Sequence, residues 1–216
     1  MEIEVNRSIN ELNEKLAGEL NRKFSSDRLF AVNVMGAPGA GKTSAIIRII
    51  ENIPYSACVI EGDIESDIDT KKLETLGIGA VQINTGGACH LDTPHIAQAY
   101  RRLAPGSGVL FIENIGNLVC PAEFLIGEHV KLLLTNVTEG SDKPYKYPLA
   151  FEKADAIVLS KLDLLPYVDF DEVRYMDGVR KLNPHAPVFK VSAKSGEGFS
   201  EVVEWITDRA SSVIGK

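Results

Sequence analysis

The chain has 216 residues, 44% of them hydrophobic, which suits one α/β domain with ample material for a core. A net charge of −7 leaves no basic surplus to displace counterions, which argues against a nonspecific nucleic-acid binder. The three cysteines, Cys58, Cys89 and Cys120, are odd in number and widely spaced, and neither a signal-peptide pattern nor an apolar run of membrane-spanning length is present. A reducing, cytoplasmic setting without a membrane partner is therefore expected.

Taken in order, Ile9, Leu12, Leu16, Leu20 and Phe24 recur every three or four residues and predict an amphipathic helix over 8–24. Ser8 and Glu11 make a capping box at its start. This extension, residues 1–28, is expected to dock on the core, with a partner as the alternative. The apolar run 29–35 predicts a buried strand. It leads into Gly36-Ala37-Pro38-Gly39-Ala40-Gly41-Lys42-Thr43, the G-x-x-x-x-G-K-[ST] pattern without substitution, and a helix is predicted over 42–52. Glycines let successive N–H groups turn inward onto phosphate oxygens, and the helix N-terminus adds its preference for anions. Lys42 reaches the β- and γ-phosphates, the Thr43 hydroxyl can ligate Mg²⁺, and Ser44 belongs to the same cradle.

Further strands are predicted over 56–61, 79–84, 108–113, 129–135, 155–160 and 187–192. Helices are predicted over 67–76, 93–103, 169–182 and 199–211. Continuously apolar strands alternating with helices imply a three-layer α/β P-loop NTPase fold. Its sheet would be mostly parallel, of about seven strands with helices on both faces, and 29–216 would form one domain. Residues 137–148, rich in Gly, Pro and charge, read as a mobile functional loop.

Two segments choose the base. Ser160-Lys161-Leu162-Asp163 ends an apolar strand and resembles the N/T-K-x-D motif of GTPases, with Ser160 where Asn or Thr is usual. Asp163 would accept from guanine N1–H and N2–H₂, which adenine lacks, while the Lys161 stem covers the base. Ser192-Ala193-Lys194 matches a weaker motif whose backbone N–H groups meet guanine O6. GTP and GDP are therefore the expected nucleotides. Glu113-x-x-Gly116 resembles the D/E-x-x-G switch, the carboxylate on Mg²⁺ and the Gly116 N–H on the γ-phosphate. Asp63 and Asp67 are both candidates for a second Mg²⁺ contact and for orienting the attacking water.

Cys89, His90 and Cys120 offer thiolate and imidazole ligands, which suit Zn²⁺, Ni²⁺ or copper. Both loops follow strands of a parallel sheet, so they should emerge at the nucleotide edge. Cys120 lies four residues past Gly116, so a shift of that peptide on hydrolysis would move a metal ligand. Three ligands are fewer than a closed tetrahedral site wants, and two copies about a two-fold axis would share one. Cys58, inside an apolar strand, is assigned to the core, and His95 to a helix surface.

The runs 61–69, 82–92, 113–121 and 137–148 resemble the HypB family, GTPases that assist nickel insertion into [NiFe]-hydrogenase. The resemblance extends from about residue 29 to the end. It implies kinship with signal-recognition and MinD-type NTPases and slow Mg²⁺-dependent GTP hydrolysis. It also implies GTP-dependent face-to-face homodimerisation, and a hydrogenase maturation factor or the hydrogenase large subunit as partner. Carried over, Cys89, His90 and Cys120 are the Ni²⁺ or Zn²⁺ ligands, and Lys146 reaches the partner subunit's nucleotide. The related urease accessory GTPase UreG has Cys-Pro-His where this chain has Cys-His. Some members carry an N-terminal Cys- or His-rich nickel tract; residues 1–28 contain neither residue, so tight nickel storage is not expected. The residues also leave open a nucleotide-gated metal-binding module without obligatory hydrolysis, a urease-type accessory GTPase, an ATP-dependent small-molecule kinase, and zinc as a dimer cement.

Overall fold

The computed structural model describes residues 5–63 and 68–215, with the backbone alone for 5–10 and 68–69. Seven parallel strands form one sheet in the order β3-β2-β4-β1-β5-β6-β7. They are β1 (Leu29–Gly36), β2 (Ala57–Asp63), β3 (Gly79–Asn84), β4 (Gly108–Glu113), β5 (Val130–Asn136), β6 (Ala156–Ser160) and β7 (Val188–Lys190). The helices are α1 (Val5–Ser26), α2 (Lys42–Ile50), α3 (Ile68–Thr75), α4 (Thr93–Leu103), α5 (Cys120–Glu123), α6 (Lys143–Lys146), α7 (Pro148–Lys153), α8 (Glu172–Leu182) and α9 (Phe199–Ile214).

Every residue of β1, β4 and β5 is buried, as strands covered on both faces must be. The period-two alternation sorts their side chains into separate layers. Val32, Val34, Phe111 and Val158 meet Ile46, Ile49, Val202 and Ile206 of α2 and α9. On the opposite face Leu29, Ala31, Leu110 and Ile112 meet Phe24 of α1 and Ile96 of α4. Leu133 and Ile157 pack with Phe151, Tyr175 and Val179 of α7 and α8. Because all strands run the same way, their C-terminal ends share one edge, and the loops of interest gather there. Among the described residues, no helix is long and apolar enough to cross a membrane.

Two readings need correction. The first helix already runs from Val5, so Ser8 lies inside it and no capping box opens it there. Its stripe also docks over only part of its length. Ala17, Leu20 and Phe24 are buried on the sheet and Leu16 is half-buried, but Leu12 is 58% exposed. The stretch 137–148 is not one irregular loop. It folds into a 3₁₀ turn (Val137–Glu139), α6 and the start of α7. The Asn136 side chain caps the first of these by accepting from Thr138 N at 2.9 Å.

A half-buried histidine latches α1 to the sheet. His129 Nδ1 accepts from Ala31 N at 2.9 Å, so Nε2 carries the hydrogen and donates to Ser25 Oγ at 2.9 Å. Burial holds its pKa below the usual histidine value. The unfolded chain takes up a proton near pH 6.5 and the folded chain only lower. This contribution to stability is therefore whole above that range and is lost as pH falls through it. Denaturant midpoints measured from pH 7.5 to 5.5 should decline with acid, and His129→Gln should flatten the decline.

Candidate nucleotide and metal site

The loop between β1 and α2 needs a left-handed residue where it enters the helix, and Gly41 supplies it with φ 95°. Ala40 is buried, Ala37 and Ser44 are half-buried, and Pro38 and Gly39 are exposed along the rim. Lys42 Nζ lies 3.4 Å from Gly36 O and 4.0 Å from Glu113 Oε1. Thr43 Oγ1 donates to the same carboxylate oxygen at 3.1 Å. In front of them opens a cleft of about 270 Å³, lined by Pro38, Gly39, Lys42, Glu61, Asp63, Glu113 and Gly116 among others. A polyphosphate placed beside three carboxylates would need a divalent cation between them, and the oxygens of Thr43, Glu113 and Asp63 are hard donors that could hold Mg²⁺. Asp67 lies outside the described residues. Glu61 is a cleft residue the sequence reading passed over. It is buried, accepts from Thr70 Oγ1, and stands in register with Glu113 across the β2–β4 pair. Its only signal was an acid inside an otherwise apolar strand.

The two segments expected to contact the base come together beside this loop. Ser160 Oγ donates to Ala40 O at 2.9 Å, and Lys161 Nζ donates to Gly39 O at 2.7 Å. Lys161 adopts the left-handed conformation, φ 60°, which turns the chain sharply at the end of β6. Asp163 Oδ1 accepts from Ser192 Oγ at 2.6 Å. The Ser192 N–H donates to Glu197 O, and its hydroxyl is the group it turns to Asp163. Arg48 Nε donates to Ala193 O at 2.8 Å and fixes the loop, while the Lys194 side chain is exposed. Lys146 is not brought to the cleft. It is 62% exposed and paired with Asp142 at 2.5 Å. Nearby, burial pushes the Glu139 carboxyl up against the opposing pull of Lys143, Lys161 and Lys42.

The three proposed metal ligands meet. Cys89 Sγ lies 3.1 Å from Cys120 Sγ and 3.4 Å from His90 Nδ1. One ligand atom from each residue falls within 4.8 Å of the others. Two sulfurs and one imidazole nitrogen this close fit a borderline-soft ion and not Mg²⁺ or Ca²⁺. The Cys89 thiol and then desolvation push Cys120 up from the ordinary thiol range. The His90 ring lies flat on Phe124, centroids 4.4 Å apart at 9°. Cys58 stands apart in the core, pushed up to about 12 by burial, and His95 pairs with Asp92 on the α4 surface.

Asn117 joins the two centres, and no local motif marks it. Its backbone bridges to Gly36, the first residue of the phosphate loop. Its Nδ2 donates to Cys89 O at 3.2 Å, and its Oδ1 accepts from Val119 N at 2.8 Å. Gly116, one residue earlier, packs directly on Pro38. The segment between Glu113 and Cys120 therefore touches the cradle and the thiol loop at once.

Comparison with known proteins agrees with this arrangement. A profile of the family described as CobW/HypB/UreG, nucleotide-binding domain, matches residues 30–190. The hydrogenase maturation factor HypB of Azotobacter vinelandii is 46% identical over 197 residues, covering 90% of this chain and 65% of that protein. The chain thus spans just under two thirds of that relative's length. A crystal structure of HypB from Helicobacter pylori in complex with nickel superimposes with a TM-score of 0.89 at 33% identity, covering 93% of this chain and 95% of that one. The crystal structure of HypB from Archaeoglobus fulgidus gives 0.86 at 34% identity, covering 93% and 99%. With the fold, the phosphate loop and full-length structural agreement pointing one way, the chain belongs to the HypB branch of the CobW/HypB/UreG nucleotide-binding family.

Proposed function

We propose that the chain is a GTP-hydrolysing hydrogenase maturation factor that carries nickel for insertion into [NiFe]-hydrogenase and works in the cytoplasm. The observation that carries this reading is the single segment, Glu113 to Cys120, that runs from the phosphate cradle to the Cys89–His90 loop. In this reading Lys42 and the loop N–H groups hold the phosphates. Asp163 reads guanine with Lys161 and the 192–194 loop. Gly116 senses the terminal phosphate. Thr43, Glu113 and Asp63 would hold Mg²⁺, which supplies neutralising charge on the β- and γ-oxygens. Asp63 or Asp67 orients the attacking water. A HypB relative solved with nickel supports nickel as the cargo of Cys89, His90 and Cys120. Each chain offers three ligands, so a homodimer that completes the set fits. Lys146, exposed and away from its own cleft, would reach the nucleotide of a second copy by giving up its surface pairing with Asp142. A hydrogenase maturation factor or the hydrogenase large subunit would receive the metal.

The test is a Ni²⁺ titration with GDP and with a nonhydrolysable GTP analogue, following molecular size in parallel. The affinities should differ and the dimer should be the triphosphate form. Equal affinities in the two states would reject coupling, because a ligand without differential affinity shifts nothing. Cys89→Ala should abolish the difference.

A further inference from the structure

We infer that Lys131 is a positioning residue that poses both halves of the Cys89/His90/Cys120 set through one buried ammonium group. Its side chain is 7% exposed and rises from the second residue of β5, an interior strand of the sheet. Lys131 Nζ donates to Ala122 O at 3.0 Å and to Phe124 O at 3.2 Å. Ala122 lies in the same short helix as Cys120, and the Phe124 ring is the surface on which His90 lies. One cation therefore ties down the segment that bears a sulfur and the platform that bears the imidazole.

The opposite side of the ammonium closes a ring. Glu128, 3% exposed, lies 3.6 Å away and accepts from Ile126 N at 2.8 Å and from Asn33 Nδ2 at 3.3 Å. Asn33 Oδ1 accepts from Asn114 Nδ2 at 3.1 Å. Asn114 Oδ1 accepts from Leu91 N, next to His90, at 3.3 Å and from Ile115 N, next to Gly116, at 3.0 Å. A buried ion pair of this kind adds little net stability compared with well-packed apolar residues, so its use here is geometric. Groups that hydrogen-bond a metal's ligands ordinarily affect affinity by about 10–100-fold; Lys131 acts through Ala122 and Phe124, which sets its expected effect at the low end of that range.

This inference rests on the reading of Cys89, His90 and Cys120 as a metal site, and the experiment separates the two. Ni²⁺ is titrated into the GDP-bound wild type and Lys131→Met, following thiolate-to-nickel charge-transfer absorption. The variant should bind about tenfold or more weakly, with an altered charge-transfer band and unchanged GDP affinity. A wild type that takes up no Ni²⁺ overturns the metal-site reading and this inference with it. A wild type that binds, beside a variant with equal affinity and an identical band, overturns the inference alone. Should Lys131→Met fail to fold, Phe124→Leu decides the matter. It leaves the ion pair in place and removes only the platform; weaker binding with a shifted band supports the inference, and wild-type behaviour overturns it.

Discussion

Asp163→Asn is expected to lower kcat/KM for GTP by roughly four orders of magnitude, the cost of unpairing a site built around hydrogen bonds to the base. The carboxylate is half-buried and oriented by Ser192 Oγ at 2.6 Å, so in the proposed role it would meet the base in one pose. Guanine presents two donors there. An amide answers only one of them and sets its own N–H₂ against the other. Xanthine carries a carbonyl at that second position, so XTP should regain most of the lost activity. Steady-state rates with GTP, XTP and ATP decide the point. A variant that keeps its GTP preference would move base reading elsewhere, and a wild type equally fast with ATP would favour the kinase alternative.

Gly116→Ala should slow hydrolysis by about 10²–10³-fold, the usual cost of losing one preorganised donor to developing charge. A Cβ at this position would sit 2.8 Å from Pro38 Cγ and 2.9 Å from Pro38 N. The obstacle includes backbone of the phosphate loop, which cannot turn aside as a long side chain would. The Gly116 peptide must then step back, and its N–H no longer reaches a terminal phosphate. GDP lacks that phosphate, so its affinity should hold. Single-turnover rates and GDP binding measured together separate the outcomes. Equal losses in both would mean that the cradle itself had deformed.

The sheet was legible in the sequence because parallel strands covered on both faces need unbroken apolar runs. All seven strands fall where 29–35, 56–61, 79–84, 108–113, 129–135, 155–160 and 187–192 were read, although the last shrinks to Val188–Lys190. The short helices α5, α6 and α7 escaped because four to six residues give no helical period. Pro144 and Pro148 belong to the stretch read as a loop, yet they, like Pro121, each sit in the first turn of a helix, where the missing N–H costs nothing. The site divides in the same way. Residues 36–43 and 160–163 are contiguous motifs and carry their chemistry in plain view. Glu61, Asn117, Phe124 and Lys131 act across elements: a register pair, a bridge to Gly36, a ring on an imidazole, a cation under two carbonyls. No local pattern announces such partners. Even the acid at Glu61 and the lysine inside β5, both odd in apolar company, signal only that something polar is buried.

Cys89 is exposed, and neither it nor His90 belongs to the apolar layers that hold the sheet together, although Leu91 beside them anchors the loop there. An ion bound there faces solvent, so a donor atom from another protein can join its coordination sphere before any present donor departs. In the proposed role, transfer would then proceed by stepwise substitution, with no naked ion set loose and no part of the hydrophobic interior opened.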